Sequence, residues 1–233
     1  MRVAIFRPDE YARETAKLLE REGFQVLHAP MIEVEEQDVE VEDADFTIIT
    51  SQTSARIALR RGLVRGKVVA IGPKTAEPLR ERYEVAMPSK YDSSTLYREF
   101  RDVLAGKRVN LLRSDKGDSV LLKLSEVCDL REYVLYRIVP AFGERQRKAV
   151  EEVASGRVDA AVFSSRMIVR AFMENAKRAG LLEKVVERLN EIVSVAIGPP
   201  TADELSKYGI SAELPEEYTF EGVLVLLRSL RSP

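Results

Sequence analysis

The 233-residue sequence has few of the residues on which most site chemistries rest. It carries one cysteine, Cys128, and one histidine, His28. A lone cysteine excludes an internal disulfide and a cysteine-built metal cluster. A zinc site or a Ser-His-Asp triad would have to be assembled around a single imidazole. Charge of either sign is not in excess, since 36 basic residues face 38 acidic ones. That balance argues against nucleic acid held by bulk charge. No apolar run approaches the ~20 residues that span a bilayer, and Met1 to Phe6 enters a strand without signal-peptide anatomy. The chain reads as soluble, cytoplasmic and free of the membrane. A dinucleotide glycine fingerprint is missing, and no aspartate cluster recurs at strand ends as a phosphoacceptor domain would need. We therefore expect neither a metal nor an organic cofactor.

What is present is a repeat. Ala70-Ile71-Gly72-Pro73-Lys74-Thr75-Ala76 returns as Ala196-Ile197-Gly198-Pro199-Pro200-Thr201-Ala202. Each copy closes an apolar run and opens a segment of helical spacing, so each is a strand, a Gly-Pro turn and a helix start. Glycine permits a tight bend with uncovered N–H groups. The threonine either caps the helix or offers its hydroxyl to a ligand.

The repeat extends further. Thr50-Ser51 answers Ser164-Ser165, each at a strand-to-helix junction. Tyr83, Pro88 and Tyr91 answer Tyr208, Pro215 and Tyr218. Val3 to Arg7 answers Val109 to Arg113. The pattern is X-Y-X-Y, with X a βαβ unit and Y a βαβαβα unit. One X and one Y make a five-stranded parallel sheet covered by helices on both faces. Adjacent pairing would split the chain near residue 106. Crossed pairing joins the first X to the last Y. The extended segments near 30–42 and 133–142 favour the crossed version, because two strands must then run between two bodies. The expected domains are 1–33 with 139–233, and 34–138. A charged content of 32% leans towards a thermophile with surface ion pairs.

These residues resemble the uroporphyrinogen-III synthase family over essentially the whole chain. The resemblance rests on Arg7-Pro8, Ile49-Thr50-Ser51, both Ala-Ile-Gly-Pro-x-Thr-Ala turns, Leu111-Leu112-Arg113, and Val134-Leu135-Tyr136-Arg137 before Pro140. No single motif is specific; their order and spacing are. The sequence departs from the family at Arg113-Ser114-Asp115-Lys116-Gly117, where a glycine usually follows the arginine. Arg82-Tyr83-Glu84 also lacks the usual helix-ending glycine. The resemblance implies two flavodoxin-like α/β domains joined by a two-stranded linker in discontinuous topology. It implies a cofactor-free lyase, a monomer, that closes linear hydroxymethylbilane to uroporphyrinogen III with loss of water and inversion of ring D. A transient contact with the preceding pathway enzyme is a further expectation. The rival from another class is a non-catalytic two-lobed module for polycarboxylates.

Ligands of doubly wound sheets sit beyond the carboxyl ends of the strands. One body offers Arg7, Ser164, Ser165, Gly198 and Thr201 there. The other offers Ser51, Thr53, Gly72, Thr75, Ser93, Ser94, Arg113 and Ser114. This set of hydroxyls, N–H groups and arginines suits a polycarboxylate. Tyr136 matches the family's tyrosine assigned as general acid, and a phenol with an ordinary pKa of ~10 can donate without being charged. The plainer reading of Tyr136 is a half-buried linker residue. His28 reads as structural, Cys128 as buried and inert, and Met167 and Met173 as core. The basic run Arg56, Arg60, Arg61, Arg65 and Lys67 reads as a solvated helix face.

Overall fold

The computed structural model describes residues 1–231; the last two residues of the expected first domain lie outside it. The chain divides into two compact units. One comprises Met1–Glu33 and the chain from Val139 onward, the other Val34–Ile138.

In the first unit the apolar run after Met1 forms β1 (Arg2–Ile5). Helix α1 (Asp9–Arg21) follows, burying Ala12, Thr15 and Leu19 at helical spacing. Gly23 leaves it with φ +77, and β2 (Gln25–His28) pairs parallel with β1. The chain then leaves through β3 (Ile32–Glu36) and returns through β8 (Asp129–Pro140), both described below. On return it forms α5 (Glu144–Ala154), β9 (Ala160–Phe163), α6 (Arg166–Arg178), α7 (Leu182–Glu191), β10 (Val193–Ala196), α8 (Pro199–Ser206) and α9 (Phe220–Ser229). The sheet order is β10-β9-β1-β2. Thus β1 pairs with β9, more than 150 residues later, with Val3 opposite Ala160.

A five-stranded sheet was expected here, and four strands are found. The fifth position, Ser211 to Leu214, is reduced to one parallel bridge between Val195 and Glu213. Two backbone hydrogen bonds hold it, Glu213 N–H to Ser194 O and Ala196 N–H to Glu213 O, and Pro215 cannot donate a further one. The sequence pattern also missed α5, whose surface is mostly charged. It further merged α6 with α7, which Gly180 separates at φ +68.

The second unit contains β4 (Phe46–Ile49), α2 (Gln52–Arg61), β5 (Lys67–Ala70) and α3 (Pro73–Ala76) with a short 3-10 turn. Then come β6 (Val85–Ala86), α4 (Ser93–Leu104), β7 (Arg108–Ser114), a 3-10 helix over Ser119–Glu126, and β8. Its sheet order is β3-β8-β7-β4-β5-β6. The five strands from β8 to β6 are parallel. Successive residues alternate between two cores. Ile48, Val69 and Leu111 pack with Leu96, Leu104, Leu121 and Leu124. Ile49, Ala70 and Leu112 pack on the other face with Ile57, Leu79, Leu135 and Tyr136. Burial on both faces is why these strands read as unbroken apolar runs.

Read in space, the first unit runs strand two, one, three, four and a vestigial five: β2, β1, β9, β10 and the Glu213 bridge. The second reads the same way as β8, β7, β4, β5, β6. This is the flavodoxin-like order, entered in the second unit at its third strand. The second unit is inserted into the first between that unit's second and third strands.

Each core has its own reinforcement. In the first unit Phe6, Phe163 and Phe172 meet at centroid distances of 5.0, 4.6 and 5.5 Å. Such pairs add about 0.5–1.5 kcal/mol each beyond area burial. Glu204 on α8 is 4% exposed. It accepts two bonds from Arg170, at 2.8 and 2.9 Å, and one from Lys207 at 2.8 Å. In the second unit Gly66 has φ +61, and a Cβ there would stand 2.3 Å from Asp45 O. No helix of the described residues is long and apolar enough to cross a membrane.

Two outcomes follow for stability. Hydrogen bonds from Arg170 and Lys207 hold the Glu204 carboxyl at about 2, against an ordinary 4.5. A depressed carboxylate stabilises the fold above its unfolded pKa and loses that contribution as pH falls through the folded one. Acid unfolding of Glu204→Gln, followed by circular dichroism, should therefore show a shallower decline between about 4.5 and about 2. An unchanged slope would contradict the pairing. Gly66→Ala should cost clearly more than the ~1–2 kcal/mol of left-handed backbone alone. Gly62→Ala, at φ +63 with nothing within 4 Å of its Cβ, should cost no more than that strain. Equal melting temperatures for the two variants would refute the steric account.

Candidate functional site

Parallel strands bring the loops that follow them to one edge. In this strand order the crevice opens where the order reverses, between strands one and three. In the first unit these are β1 and β9, followed by Arg7 and by Ser164-Ser165. In the second they are β7, which ends at Ser114, and β4, followed by Thr50-Ser51.

In the second unit Ser51 is the N-cap of α2 and accepts the Ser54 N–H at 3.0 Å. Its hydroxyl also donates to Ser54 Oγ at 2.9 Å and meets Tyr136 Oη at 3.1 Å. With the Ser51 proton committed to Ser54, the phenol is the donor to Ser51. Tyr136 lies on β8 opposite Ser114, where the ladder slips by one residue. Its ring belongs to the apolar core and is 5% exposed. The aromatic body is thus fixed by packing and the oxygen by a helix cap. Thr53 is half-buried in the first turn of α2.

Four of the expected contacts are arranged differently. Arg113 is 5% exposed and pairs with Glu132 at 2.6 Å. It also donates to the Asp118 carbonyl. Its chain crosses Gly117 so closely that a Cβ there would lie 2.5 Å from Arg113 Cδ. Its charge is spent inside the unit. Ser93 and Ser94 do not cap α4, because Asp92 does. Asp92 Oδ1 accepts the Thr95 N–H at 2.7 Å and Oδ2 the Thr95 hydroxyl at 3.0 Å. The bond from the Thr95 N–H holds the Asp92 carboxyl below its usual range. A carboxylate already occupies that helix end and repels another. Ser114 is half-buried, its Oγ accepting the Lys116 N–H at 3.3 Å.

The duplicated turns also differ from expectation. The N-caps of α3 and α8 are Gly72 and Gly198, each followed by proline at the first helical position. Proline suits that position because its missing N–H would be unpaired there anyway. Thr75 and Thr201 therefore do not cap; they sit at the third helical position, 5% and 4% exposed. Neither threonine hydroxyl is among the fully buried polar atoms without a partner. Both glycines have extended backbone, with φ −175 and −173, which any residue adopts. At Gly72 the need is for space, whereas a Cβ on Gly198 would make only ordinary contact. A Cβ on Gly72 would stand 3.0 Å from Tyr91 Cβ, and one on Gly198 would stand 3.5 Å from Tyr218 Cγ.

In the first unit Ser165 caps α6 by accepting the Ile168 N–H at 3.2 Å, as Ser51 caps α2. Ser164 is half-buried beside it. Arg7 is the counterpart of Arg113 but is held differently. Its guanidinium lies 4.0 Å from the Phe220 ring centroid and 5.5 Å from that of Tyr11. It donates to Thr15 Oγ1 at 2.6 Å. Burial lowers its pKa, while Tyr11, Glu14 and Glu221 pull it back up. The arginine keeps its charge against an aromatic face, which a carboxylate ligand could share.

His28 is structural. Its Nε2–H donates to Arg7 O at 2.8 Å, and Nδ1 faces Arg145 at 3.3 Å. It thereby steadies the backbone of Arg7. Cys128 was expected to be buried but is half-buried; its thiol donates to Leu124 O, and burial raises its pKa. In the basic run, Arg60, Arg61 and Arg65 pair with Glu36, Asp38 and Asp43.

Comparison with known proteins gives a consistent result. A family model described as uroporphyrinogen-III synthase HemD matches residues 13–224. A protein from Archaeoglobus fulgidus, provisionally named uroporphyrinogen-III synthase, is 49% identical over 229 residues, 98% of this chain and 99% of its own. A Methanocaldococcus jannaschii protein of the same provisional name is 27% identical over 99% of both chains. In structure, the chain resembles uroporphyrinogen-III synthetase from Helicobacter pylori, with a TM-score of 0.65 at 18% identity over 99% of both chains. A mutant uroporphyrinogen III synthase from Thermus thermophilus gives 0.57 at 21% identity, over 99% of this chain and 98% of that one. These two likenesses speak for the fold, and the sequence matches speak for descent: the chain belongs to the uroporphyrinogen-III synthase family.

Proposed function

We propose that the chain is itself a uroporphyrinogen-III synthase, a lyase closing hydroxymethylbilane to uroporphyrinogen III without metal or organic cofactor. The observation that carries this reading is the Tyr136 phenol. Core packing and the cap of α2 hold it at the carboxyl edge of a sheet, in a chain that matches the family model over residues 13–224.

The chemistry asks for one proton and much positioning. The terminal hydroxyl of the linear tetrapyrrole leaves as water, pushed by the pyrrole nitrogen and helped by a proton from Tyr136. An electrophilic azafulvene remains. The substituted carbon of ring D attacks it to give a spiro intermediate, whose fragmentation and reclosure invert that ring. Loss of a ring proton restores the pyrrole. After the phenol gives up its proton, Ser51 can turn its own hydroxyl towards Tyr136 Oη. The amino end of α2 favours the negative charge left there. Holding the folded chain for attack at the substituted carbon can supply most of the barrier reduction.

Arg7, Ser164 and Ser165, with the N–H groups and hydroxyls beside Gly198 and Thr201, are proposed to hold substrate carboxylates in the first unit. Ser51, Thr53, Gly72, Thr75 and Ser114 are proposed to do so in the second. We omit Arg113, which is paired with Glu132, and Ser93 and Ser94, whose helix end Asp92 occupies. A monomeric cytoplasmic enzyme is part of the same proposal.

The protein incubated with enzymatically generated hydroxymethylbilane, followed by oxidation and isomer separation, should yield type III uroporphyrin. Type I alone, the spontaneous product, would leave a polycarboxylate binder. Tyr136→Phe should lower kcat by less than the full ~10²–10⁴-fold worth of a general acid, because water replaces part of it, and should still make the type III isomer. Ser51→Ala should lower kcat less, together with the ~0.5–2 kcal/mol of a lost helix cap. Wild-type turnover in Tyr136→Phe would deny the phenol a chemical role.

A further inference from the structure

Three aromatic side chains are exposed among the described residues: Tyr91 at 60%, Tyr218 at 59% and Phe142 at 42%. Phe142 already carries the Arg178 guanidinium 3.5 Å above its ring. The two tyrosines carry nothing comparable, and they occupy equivalent places. Each is rooted on the glycine of a duplicated Gly-Pro turn, at the carboxyl edge of its own sheet. In both cases the atoms nearest the glycine's Cβ position are Cβ, Cγ and Cδ1 of the facing tyrosine. Each also precedes the N-cap of a long helix, Asp92 before α4 and Thr219 before α9.

A side chain just before an N-cap commonly staples the helix entry by burying itself. Rings that stay about 60% exposed do not act mainly as staples. At Gly72 the chain forgoes a Cβ where the ring root would meet it. The result is a large planar face turned to solvent at the edge where the strand loops gather. The hydroxyls, N–H groups and Arg7 of these edges recognise carboxylates; none of them recognises the flat face of a pyrrole.

We propose that Tyr91 and Tyr218 are stacking platforms for pyrrole rings of the tetrapyrrole, one platform in each unit. The assignment of the ligand rests on the function proposed above. The geometry itself, two equivalent exposed rings on two equivalent turns, does not. The platforms are not identical. In the first unit the Arg7 cation lies on Phe220, two residues beyond Tyr218. In the second unit the corresponding Arg113 is neutralised by Glu132.

The test uses the full-length protein with Tyr91→Leu, Tyr218→Leu, Tyr91→Phe and Tyr218→Phe. Leucine retains a staple and removes the aromatic face; phenylalanine retains both. Two quantities are measured: KM for hydroxymethylbilane, and the equilibrium Kd of uroporphyrin III, an unreactive octacarboxylate tetrapyrrole. Each leucine variant should raise both by roughly 3- to 10-fold, the worth of one aromatic stack. Each phenylalanine variant should stay within about twofold of wild type, and all four should melt near the wild-type temperature. Wild-type KM and Kd in the leucine variants, or equal losses in the phenylalanine variants, would overturn the proposal. A wild-type protein that makes no type III product would sink the proposed function instead. The platforms would then stand or fall on whether the leucine variants weaken uroporphyrin III binding.

Discussion

The constraint on which the rest of the structure depends is that parallel strands end together. A βα crossover returns the chain to the start of the sheet, so every strand of a unit delivers its following loop to one edge. Residues more than 150 positions apart become neighbours by this rule alone. Ile5 lies opposite Val162, so Arg7 and Ser164 leave adjacent strands. Ile49 lies opposite Leu112, so Ser51 and Ser114 do the same. The edge proposed to bind substrate in each unit is therefore fixed by core residues such as Val3, Ile48 and Leu111, which have no chemistry of their own.

The two units apply one solution with different electrostatics. Both cap a helix with serine after the third strand and place glycine, then proline, after the fourth. They diverge at the arginine after the first strand. Arg7 is laid on aromatic faces and keeps its charge available, whereas Arg113 is buried with Glu132 as structural cement. The second unit carries a phenol at its edge instead. Tyr136 exists there because β8 continues as a linker strand, and the ladder slip at Ser114 brings its oxygen to Ser51. In the proposed function, one edge chiefly holds an anion and the other delivers a proton.

Much of this was legible in the sequence, for reasons that can be named. Strands buried on both faces are continuous apolar runs, and Ser51 and Ser165 precede helical spacing as caps do. The duplication gave both turns, both tyrosine pairs and the order of units. What escaped depends on partners remote in sequence or on small differences in competition. Glu132 captures Arg113 from the neighbouring strand, which no local pattern announces. Asp92 outcompetes Ser93 for the cap of α4 because a carboxylate can take both the Thr95 N–H and its hydroxyl. The glycines of the turns looked like bending points, yet their backbone is extended; Gly72 instead makes room for the root of Tyr91, 19 positions later. The fifth strand of the first unit had the right residues but too few hydrogen bonds to be more than a bridge.

On the proposed function, the carboxyl edges, and no other surface, receive the tetrapyrrole. The most direct measurement is a titration of 15N-labelled protein with uroporphyrin III, followed by backbone amide shifts. The shifts should concentrate at Gly72 to Thr75, Ser51 to Ser54, Ser164-Ser165 and Gly198 to Thr201. Shifts gathered instead in the surface groove lined by Leu214, Glu217, Val225 and Leu226, with the turn amides unmoved, would contradict it.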